Sequence, residues 1–222
     1  PAIPCRLRCT REAGAALAWL SAAQRRCYSL GNDRAWLDKA EASAREAVAL
    51  DSSRAEAYRF LGLALLNKRD EAGAIVAFAR ACSLNPTDDE TYSSLGSAYR
   101  RLGQREKEME TYLSVIASRP HCWQPYWWLA HAHHLRGQVG ESIGAYREMV
   151  RRSPDLFRGY ANLGGLLVLQ GDYRAAIDTL KRSVALRPNK FAFDNLGTAY
   201  FNSGQIDDAV DAYNQALQFG FE

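Results

Sequence analysis

The sequence predicts an all-α protein, a solenoid of antiparallel helix pairs, from three observations. The first is a repeated frame: the pattern that begins at Tyr160 returns 34 residues earlier at Tyr126, and again at Tyr92 and Tyr58. The second is that the first helix of the frame carries apolar residues at i, i+3 and i+7, as Tyr160, Leu163 and Leu167 do, which is the spacing of an amphipathic helix. The third is that helix-breaking residues recur at two fixed places in the frame.

The stretch from Tyr160 to Pro188 shows why the helices come in pairs. Gly171 is expected to end the first helix, because glycine readily takes the left-handed conformation found after helix ends. Pro188 stops the second helix, because it has no N–H to donate to the preceding turn. Gly164 and Ala176 are small and allow the two helices to approach closely. One such pair cannot bury its apolar face alone, so neighbouring pairs must stack.

The frame also contains a Leu followed by a small residue in every first helix. These pairs are Leu61-Gly62, Leu95-Gly96, Leu129-Ala130, Leu163-Gly164 and Leu196-Gly197. With a period of about 34 residues, this pattern resembles the tetratricopeptide repeat (TPR) over nearly the whole chain. The resemblance implies a right-handed superhelical TPR solenoid. A long first loop and a shortened step at Pro188 are similar to TPR arrays attached to bacterial signalling proteins, including serine/threonine kinases.

The predicted organisation is a short lead-in followed by one continuous array. Arg11 to Leu30 and Ala35 to Leu50 are the expected helices of a first, atypical unit. Because the chain starts without Met and ends without a polar capping helix, we expect a fragment or a processed product. The predicted units are an irregular lead-in (1–12), the atypical unit (13–54) and repeats over 55–88, 89–122, 123–156, 157–189 and 190–222.

Composition and motifs narrow the function classes. A net charge of +3 does not point to a polyanionic partner such as nucleic acid. The five scattered cysteines favour reduced thiols and a cytoplasmic setting. No apolar run approaches the about 18 residues of a membrane span. The sequence lacks GxGxxG, GxxxxGK[ST] and HExxH, and we expect no catalytic residues, no cofactor and no enzyme activity in this chain.

The TPR resemblance implies that certain first-helix positions face a concave groove. Mapped onto this chain, those positions hold aromatic residues in the middle of the groove and polar or basic residues on either side. Trp128 and Phe201 are among the aromatic residues at these positions. Aromatic side chains can anchor a partner, and arginines can form charge-assisted hydrogen bonds with it. We therefore expect a protein or extended peptide as partner. The candidate groove residues are Arg59, Arg100, Trp127, His131, Arg158, Asn162 and Asn195.

Two known kinds of TPR groove can be compared with these residues. The kind that holds a C-terminal carboxylate needs Lys and then Asn four residues later, whereas this chain has Arg59 and Leu63. The asparagine-ladder kind has Asn just before the Leu-Gly pair, and Asn162 and Asn195 match it. An Asn amide can both donate to and accept from a peptide bond. Three repeats depart from this ladder, at Phe60, Ser94 and Trp128.

The helix around 126–134 is unusually rich in tryptophan and histidine. His131 and His134 are three residues apart and share a face, a spacing that can bind a metal ion. No second pair at ligand spacing occurs, so packing or groove roles are favoured over a metal site. The sequence leaves open whether this helix binds a ligand.

One position departs from the small-residue pattern. Glu108 takes the place where other repeats have Ala or Ser, and a carboxylate there would be costly without a partner. One interpretation is that a locally rotated helix lets Glu108 reach solvent or a nearby arginine. The other is that the array is locally less stable at this repeat.

Together these observations predict a protein- or peptide-binding scaffold. The alternative is an assembly or regulatory module of a larger bacterial signalling enzyme, such as a serine/threonine kinase whose catalytic domain is absent from this chain. The last repeat is expected to expose an apolar surface capable of end-to-end self-association. The residues of this surface are Val210, Tyr213, Leu217, Phe219 and Phe221.

Overall fold

A computed structural model describes residues 5–31 and 33–219, with side chains described from residue 12 onward. These residues form twelve α-helices joined by short turns, without a strand. The helices are α1 (Cys5–Gly31), α2 (Ala35–Leu50), α3 (Ala55–Asn67), α4 (Glu71–Leu84), α5 (Asp89–Arg101), α6 (Arg105–Ser118), α7 (Gln124–Leu135), α8 (Val139–Arg152), α9 (Phe157–Gln170), α10 (Tyr173–Leu186), α11 (Lys190–Asn202) and α12 (Ile206–Gln218). The fold is all-α and built from TPR-like helix pairs.

The chain divides into two compact units, residues 1–112 (unit 1) and 113–222 (unit 2), with the boundary inside α6. In unit 1, α1 packs on α2 and α3 packs on α4. In unit 2 the pairs are α7 with α8, α9 with α10, and α11 with α12. Within each unit the second helix of one pair also packs on the first helix of the next, as α10 does on α11.

The main difference from the sequence prediction lies at the start of the chain. Residues 5–12 belong to α1, although the sequence suggested an irregular lead-in over 1–12. The stretch from Cys5 to Thr10 contains no glycine or proline, and its arginines and leucine favour helix. The two prolines that suggested irregular structure, Pro1 and Pro4, both precede α1 and lie outside the described residues.

The turns between paired helices use a left-handed residue. Gly171 follows α9 with a φ of 86°, as its position in the frame predicted. Glycines with positive φ occupy the equivalent turns at Gly103, Gly137 and Gly204. Arg69 takes this conformation in the turn after α3, with a φ of 65°, where the frame lacks its glycine.

The helices of a pair approach most closely at the small residue of the Leu-Gly motif. A Cβ atom built on Gly164 would lie 2.4 Å from Cγ of Leu180, so no side chain fits there. Gly62 meets the ring of Phe78 in the same way, and Gly96 meets that of Tyr112. The glycine therefore accommodates a large side chain from the second helix of its own pair.

The core of each unit lies between stacked pairs. In unit 1, Phe78 is fully buried among leucines and alanines of α3, α4 and α5. In unit 2, Met149, Leu167 and Leu180 are buried in one continuous cluster from α7 to α12. At the end of this cluster Phe219 stacks on Phe193, with ring centroids 5.7 Å apart, and remains partly exposed. Phe221 lies outside the described residues.

None of the described helices combines the length and the apolar character that a membrane crossing requires.

Candidate functional site

The predicted groove residues of unit 1 are engaged with their own chain. Arg59 on α3 forms ion pairs with Glu90 and with Asp88, the latter at 3.3 Å from Nε to Oδ2. Its guanidinium also lies 4.7 Å from the centre of the Phe60 ring. Two carboxylates thus already compensate the charge of Arg59, which reduces its attraction for an acidic partner.

Arg100 on α5 has an internal role as well. Its Nη1 lies 3.0 Å from Oε1 of Glu108, a residue that is only 2% exposed. The hydroxyl of Tyr112 donates to the same carboxylate at 3.4 Å. Burial raises the pKa of Glu108 above its usual value, and the positive charge of Arg100 opposes that rise. The side chain of Glu108 therefore pairs with the nearby Arg100 and does not reach solvent.

In unit 2, α7 presents Trp127 to the surface with 40% of the residue exposed. Its ring centroid lies 6.5 Å from that of His131. The adjacent Trp128, also expected in the groove, is buried instead. Because a helix turns about 100° per residue, the side chains of Trp127 and Trp128 leave the helix in different directions. Trp128 lies on the buried face of α7, together with Pro125 and Ala132.

The histidines of α7 have separate environments. His131 and His134 are exposed, whereas His133 is partly buried with Nδ1 3.0 Å from Oε1 of Gln138. Within the described ranges, no three His, Cys, Asp or Glu residues come together as a group that could hold a metal ion. The structure therefore offers no cluster that would turn the His131–His134 spacing into a metal centre.

Two adjoining cavities open on unit 2 where α9 faces α11. Their volumes are about 290 and 350 Å³, and they share Asn162 and Phe191. The first cavity is lined by His134, Tyr146, Asn162, Gly165, Leu166, Leu169, Phe191 and Asn195. The second is lined by Phe157, Arg158, Ala161, Asn162, Asn189 and Phe191. We call this surface, defined by Arg158, Asn162, Phe191 and Asn195, the α9–α11 face.

The α9–α11 face brings together three of the predicted groove residues, and two of them are open. Within the described part of the chain, neither the amide of Asn162 nor the guanidinium of Arg158 has a hydrogen-bond or carboxylate partner. Arg158 is exposed, 5.7 Å from the Phe157 ring centre. Asn195 donates through Nδ2 to the carbonyl of Phe191 at 2.8 Å, which fixes the orientation of its side chain.

Sequence reasoning missed Phe191, which both cavities share and which is about half exposed. The sequence contained a signal for this residue. The last predicted repeat begins at Lys190, so Phe191 is its second residue, and the TPR resemblance implies that the second position of each repeat faces the groove. Leu169 and Tyr146 were missed for a different reason. They belong to the wall only through the packing of α8, α9 and α11, which a repeat pattern does not specify.

Comparison with known proteins identifies the repeat. A family model described as tetratricopeptide repeat matches residues 36–89 and 94–157, and two other models with that description match 157–190 and 191–219. The chain belongs to the tetratricopeptide repeat family. This TPR membership agrees with the helix pairs and the left-handed turns described above.

Among curated proteins, the TPR chain is 27% identical over 182 residues to the human PEX5-related protein, covering 73% of this chain and 28% of that protein. It is 24% identical over 172 residues to superkiller protein 3 of Schizosaccharomyces pombe, covering 71% of this chain and 12% of that protein. The chain thus spans less than a third of either relative's length.

Among solved structures, MamA superposes with a TM-score of 0.61 at 23% identity, covering 72% of this chain and 94% of MamA. YrrB, described as a TPR protein with an unusual peptide-binding site, superposes with a TM-score of 0.51 at 18% identity. That match covers 73% of this chain and 82% of YrrB. These likenesses support the fold.

Proposed function

We propose that this TPR chain is a non-catalytic scaffold that binds an extended segment of a protein partner on the α9–α11 face. The observation that carries the proposal is that two adjoining cavities share an unpartnered amide, Asn162, and an exposed aromatic ring, Phe191. In this proposal the protein is cytoplasmic, because its scattered cysteines suit a reducing compartment.

The chemistry of the α9–α11 face suits a peptide in an extended conformation. The amide of Asn162 can donate to a peptide carbonyl and accept from a peptide N–H at the same time. The Oδ1 atom of Asn195 remains available to accept, since its Nδ2 is already used on the carbonyl of Phe191. Main-chain contacts of this kind can bind peptide segments of many different sequences. The cavities between the contacts then favour side chains that fit them.

Two side chains give the face its preferences. Phe191 offers a flat apolar surface with little rotamer freedom to lose, so an apolar side chain of the partner is expected to pack on it. Arg158 is exposed and unpaired with any carboxylate of the described residues, so it favours an acidic side chain or a carboxylate nearby. The favoured segment is therefore extended and combines an apolar anchor with a negative charge.

Trp127 and His131 extend the proposed site along unit 2. Both are exposed on α7, and His134 of the same helix lines one of the two cavities. Trp127 can serve as a second aromatic anchor, and His131 would make binding sensitive to pH. Arg59 and Arg100 are left out of the proposed site, because each is already bonded to carboxylates of unit 1.

A selection experiment tests the proposal without a known partner. A phage-displayed library of random peptides is selected on the purified chain, and the enriched peptides are tested against two variants by fluorescence anisotropy. Phe191→Ala should weaken binding at least about tenfold, the loss expected of an interface anchor. The matched control is Phe201→Ala, an exposed aromatic on the same helix that lines neither cavity.

The proposal predicts that Phe201→Ala binds like the wild type. If the library yields no enriched sequence, or if both variants bind the enriched peptides equally well, the α9–α11 face is not the binding site. Helical content by circular dichroism should be unchanged in both variants, since both rings are on the surface.

A further inference from the structure

The last helix leaves an apolar stripe uncovered. Ile206, Val210, Tyr213 and Leu217 follow one another at steps of four, three and four residues and are all exposed. Such steps place side chains along one side of a helix. Ala209, Ala212 and Ala216 of α12 are buried, and the ring of the partly exposed Tyr213 lies against Gly197 of its own pair. We call the exposed residues the α12 stripe.

The same side is covered in the preceding repeat. Val210 and Leu217 correspond in the repeat to Ile177 and Val184 of α10. Ile177 is buried in the core of unit 2, Val184 packs against that core, and α10 packs on α11, the first helix of the next repeat. The α12 stripe is therefore an inter-repeat surface that fits the first helix of a repeat pair.

The first helix of the chain has an exposed side of matching length. Ala16, Leu20, Ala23, Cys27 and Leu30 follow at steps of four, three, four and three residues, and all are exposed. The packed side of α1, with Gly14, Ala18 and Ser21, lies on the opposite side of the helix. We call the exposed residues the α1 stripe. Like α11, α1 is the first helix of a pair.

We propose that the α12 stripe of one molecule packs on the α1 stripe of a second copy of this chain. The charges of the two helices are complementary. Helix α12 carries Asp207, Asp208 and Asp211 and no basic residue, whereas α1 carries five arginines and one acidic residue. Opposite charges of this kind favour the encounter of two copies and fix their orientation.

The expected contact is antiparallel, because consecutive helices joined by a short loop, such as α10 and α11, run in opposite directions. Antiparallel packing brings the acidic start of α12 to Arg25 and Arg26, which precede the last turn of α1. Asp211 then lies near Arg26, Val210 near Cys27 and Leu217 near Leu20. The exposed part of Tyr213 lies opposite the small Ala23.

The arrangement is heterologous, since each copy uses a different surface for each neighbour. Such contacts leave a free stripe at each end and permit open-ended assembly unless a ring closes. Two helix stripes bury less than the about 1,200 Å² of a stable complex, so the association is weak and depends on concentration.

Disulfide cross-linking tests the pairing directly. Val210→Cys places a thiol where the native Cys27 of a second copy should meet it. Under mild oxidation this variant should form covalent dimers and longer oligomers on non-reducing gels. Adding Cys27→Ser should abolish them. The matched control is Val76→Cys, an even more exposed valine on α4 outside both stripes, which should not cross-link through Cys27.

Sedimentation velocity provides the second readout. The wild type should show a sedimentation coefficient that rises with concentration and falls back with added salt. Arg26→Asp or Asp211→Arg alone should abolish that rise, and the two together should restore it. A wild type that stays monomeric at every concentration, or a cross-link that persists without Cys27, overturns the proposal. So would binding of the chain's own residues 220–222 to the α12 stripe, seen as protection of that stripe in dilute monomer.

Discussion

At the scale of single residues, unit 1 shows how a charged side chain is tolerated between packed helices. Glu108 takes a place that Ala74, Ser142 and Ala176 fill elsewhere, and each of those residues is fully buried. A buried carboxylate costs several kcal/mol unless a charge and hydrogen bonds compensate it. Arg100 and Tyr112 supply that compensation, so three residues act as one group.

The compensation predicts an asymmetry between the two partners. Arg100→Ala should lower the free energy of unfolding by about 3 kcal/mol, because it leaves Glu108 buried without its charge partner. Glu108→Ala should be close to neutral, since alanine is the usual residue at this place in the repeat. The double variant should resemble Glu108→Ala alone. Urea denaturation of the three variants measures this, and equal losses for both single variants would contradict the coupling.

The same carboxylate gives the stability a pH dependence. Burial raises the pKa of Glu108 in the folded state above the unperturbed value of 4.5. The folded chain therefore holds this proton more tightly than the unfolded chain does. Compared with Glu108→Ala, the wild type should be most stable below pH 4.5 and lose stability as the pH rises through the folded-state pKa. If the unfolding free energy of the wild type instead rises with pH relative to that of Glu108→Ala, the predicted sign is wrong.

At the scale of helices, the repeat depends on one close approach in each pair. Gly164 of α9 packs directly on Leu180 of α10, and no Cβ atom fits between them. Because the same glycine recurs at Gly62, Gly96 and Gly197, the distance between paired helices is set by a missing side chain. Each glycine is tolerated inside a helix, at a cost of about 1 kcal/mol relative to alanine, because a large residue fills the space above it.

Gly164→Leu should force α9 and α10 apart and lower the free energy of unfolding by about 1–3 kcal/mol or more. The loss should spread to neighbouring repeats of unit 2, since stacked repeats share interfaces. The matched control is Gly144→Ala in the middle of α8, where an added Cβ meets nothing within 4 Å. That change should stabilise the chain by about 0.5–1 kcal/mol. Thermal unfolding distinguishes the two, and an unchanged melting curve for Gly164→Leu would contradict the pairing.

At the scale of the whole molecule, the repeat pattern predicted the helix pairs because each one depends on local signals. The left-handed turn at Gly171 and the close approach at Gly164 follow from residues visible in the sequence. The first helix was harder, because the arginines and leucine of Cys5 to Thr10 lack an apolar period although they favour helix. The sequence also did not show which face of α7 would be buried. From two adjacent tryptophans it was not evident that Trp128 would be buried and Trp127 exposed.

The binding site was only partly predictable for a related reason. The repeat pattern can place Arg59, Arg100, Arg158 and Asn162 at positions that the TPR resemblance implies face the groove, but it cannot show which of these side chains are already bonded within the chain. Ion pairs such as that of Arg59 with Asp88 join residues far apart in the sequence. Only tertiary packing shows that the open groups are in unit 2.

The central claim is that the open amide of Asn162 binds the main chain of an extended peptide. The most direct measurement is isothermal titration calorimetry of one library-selected peptide with the wild type, Asn162→Ala and the control Gly144→Ala. Loss of the two main-chain hydrogen bonds should weaken binding by Asn162→Ala about tenfold, or about 1.4 kcal/mol, at an unchanged melting temperature. Gly144→Ala should bind like the wild type. Equal affinities for Asn162→Ala and the wild type would contradict the claim.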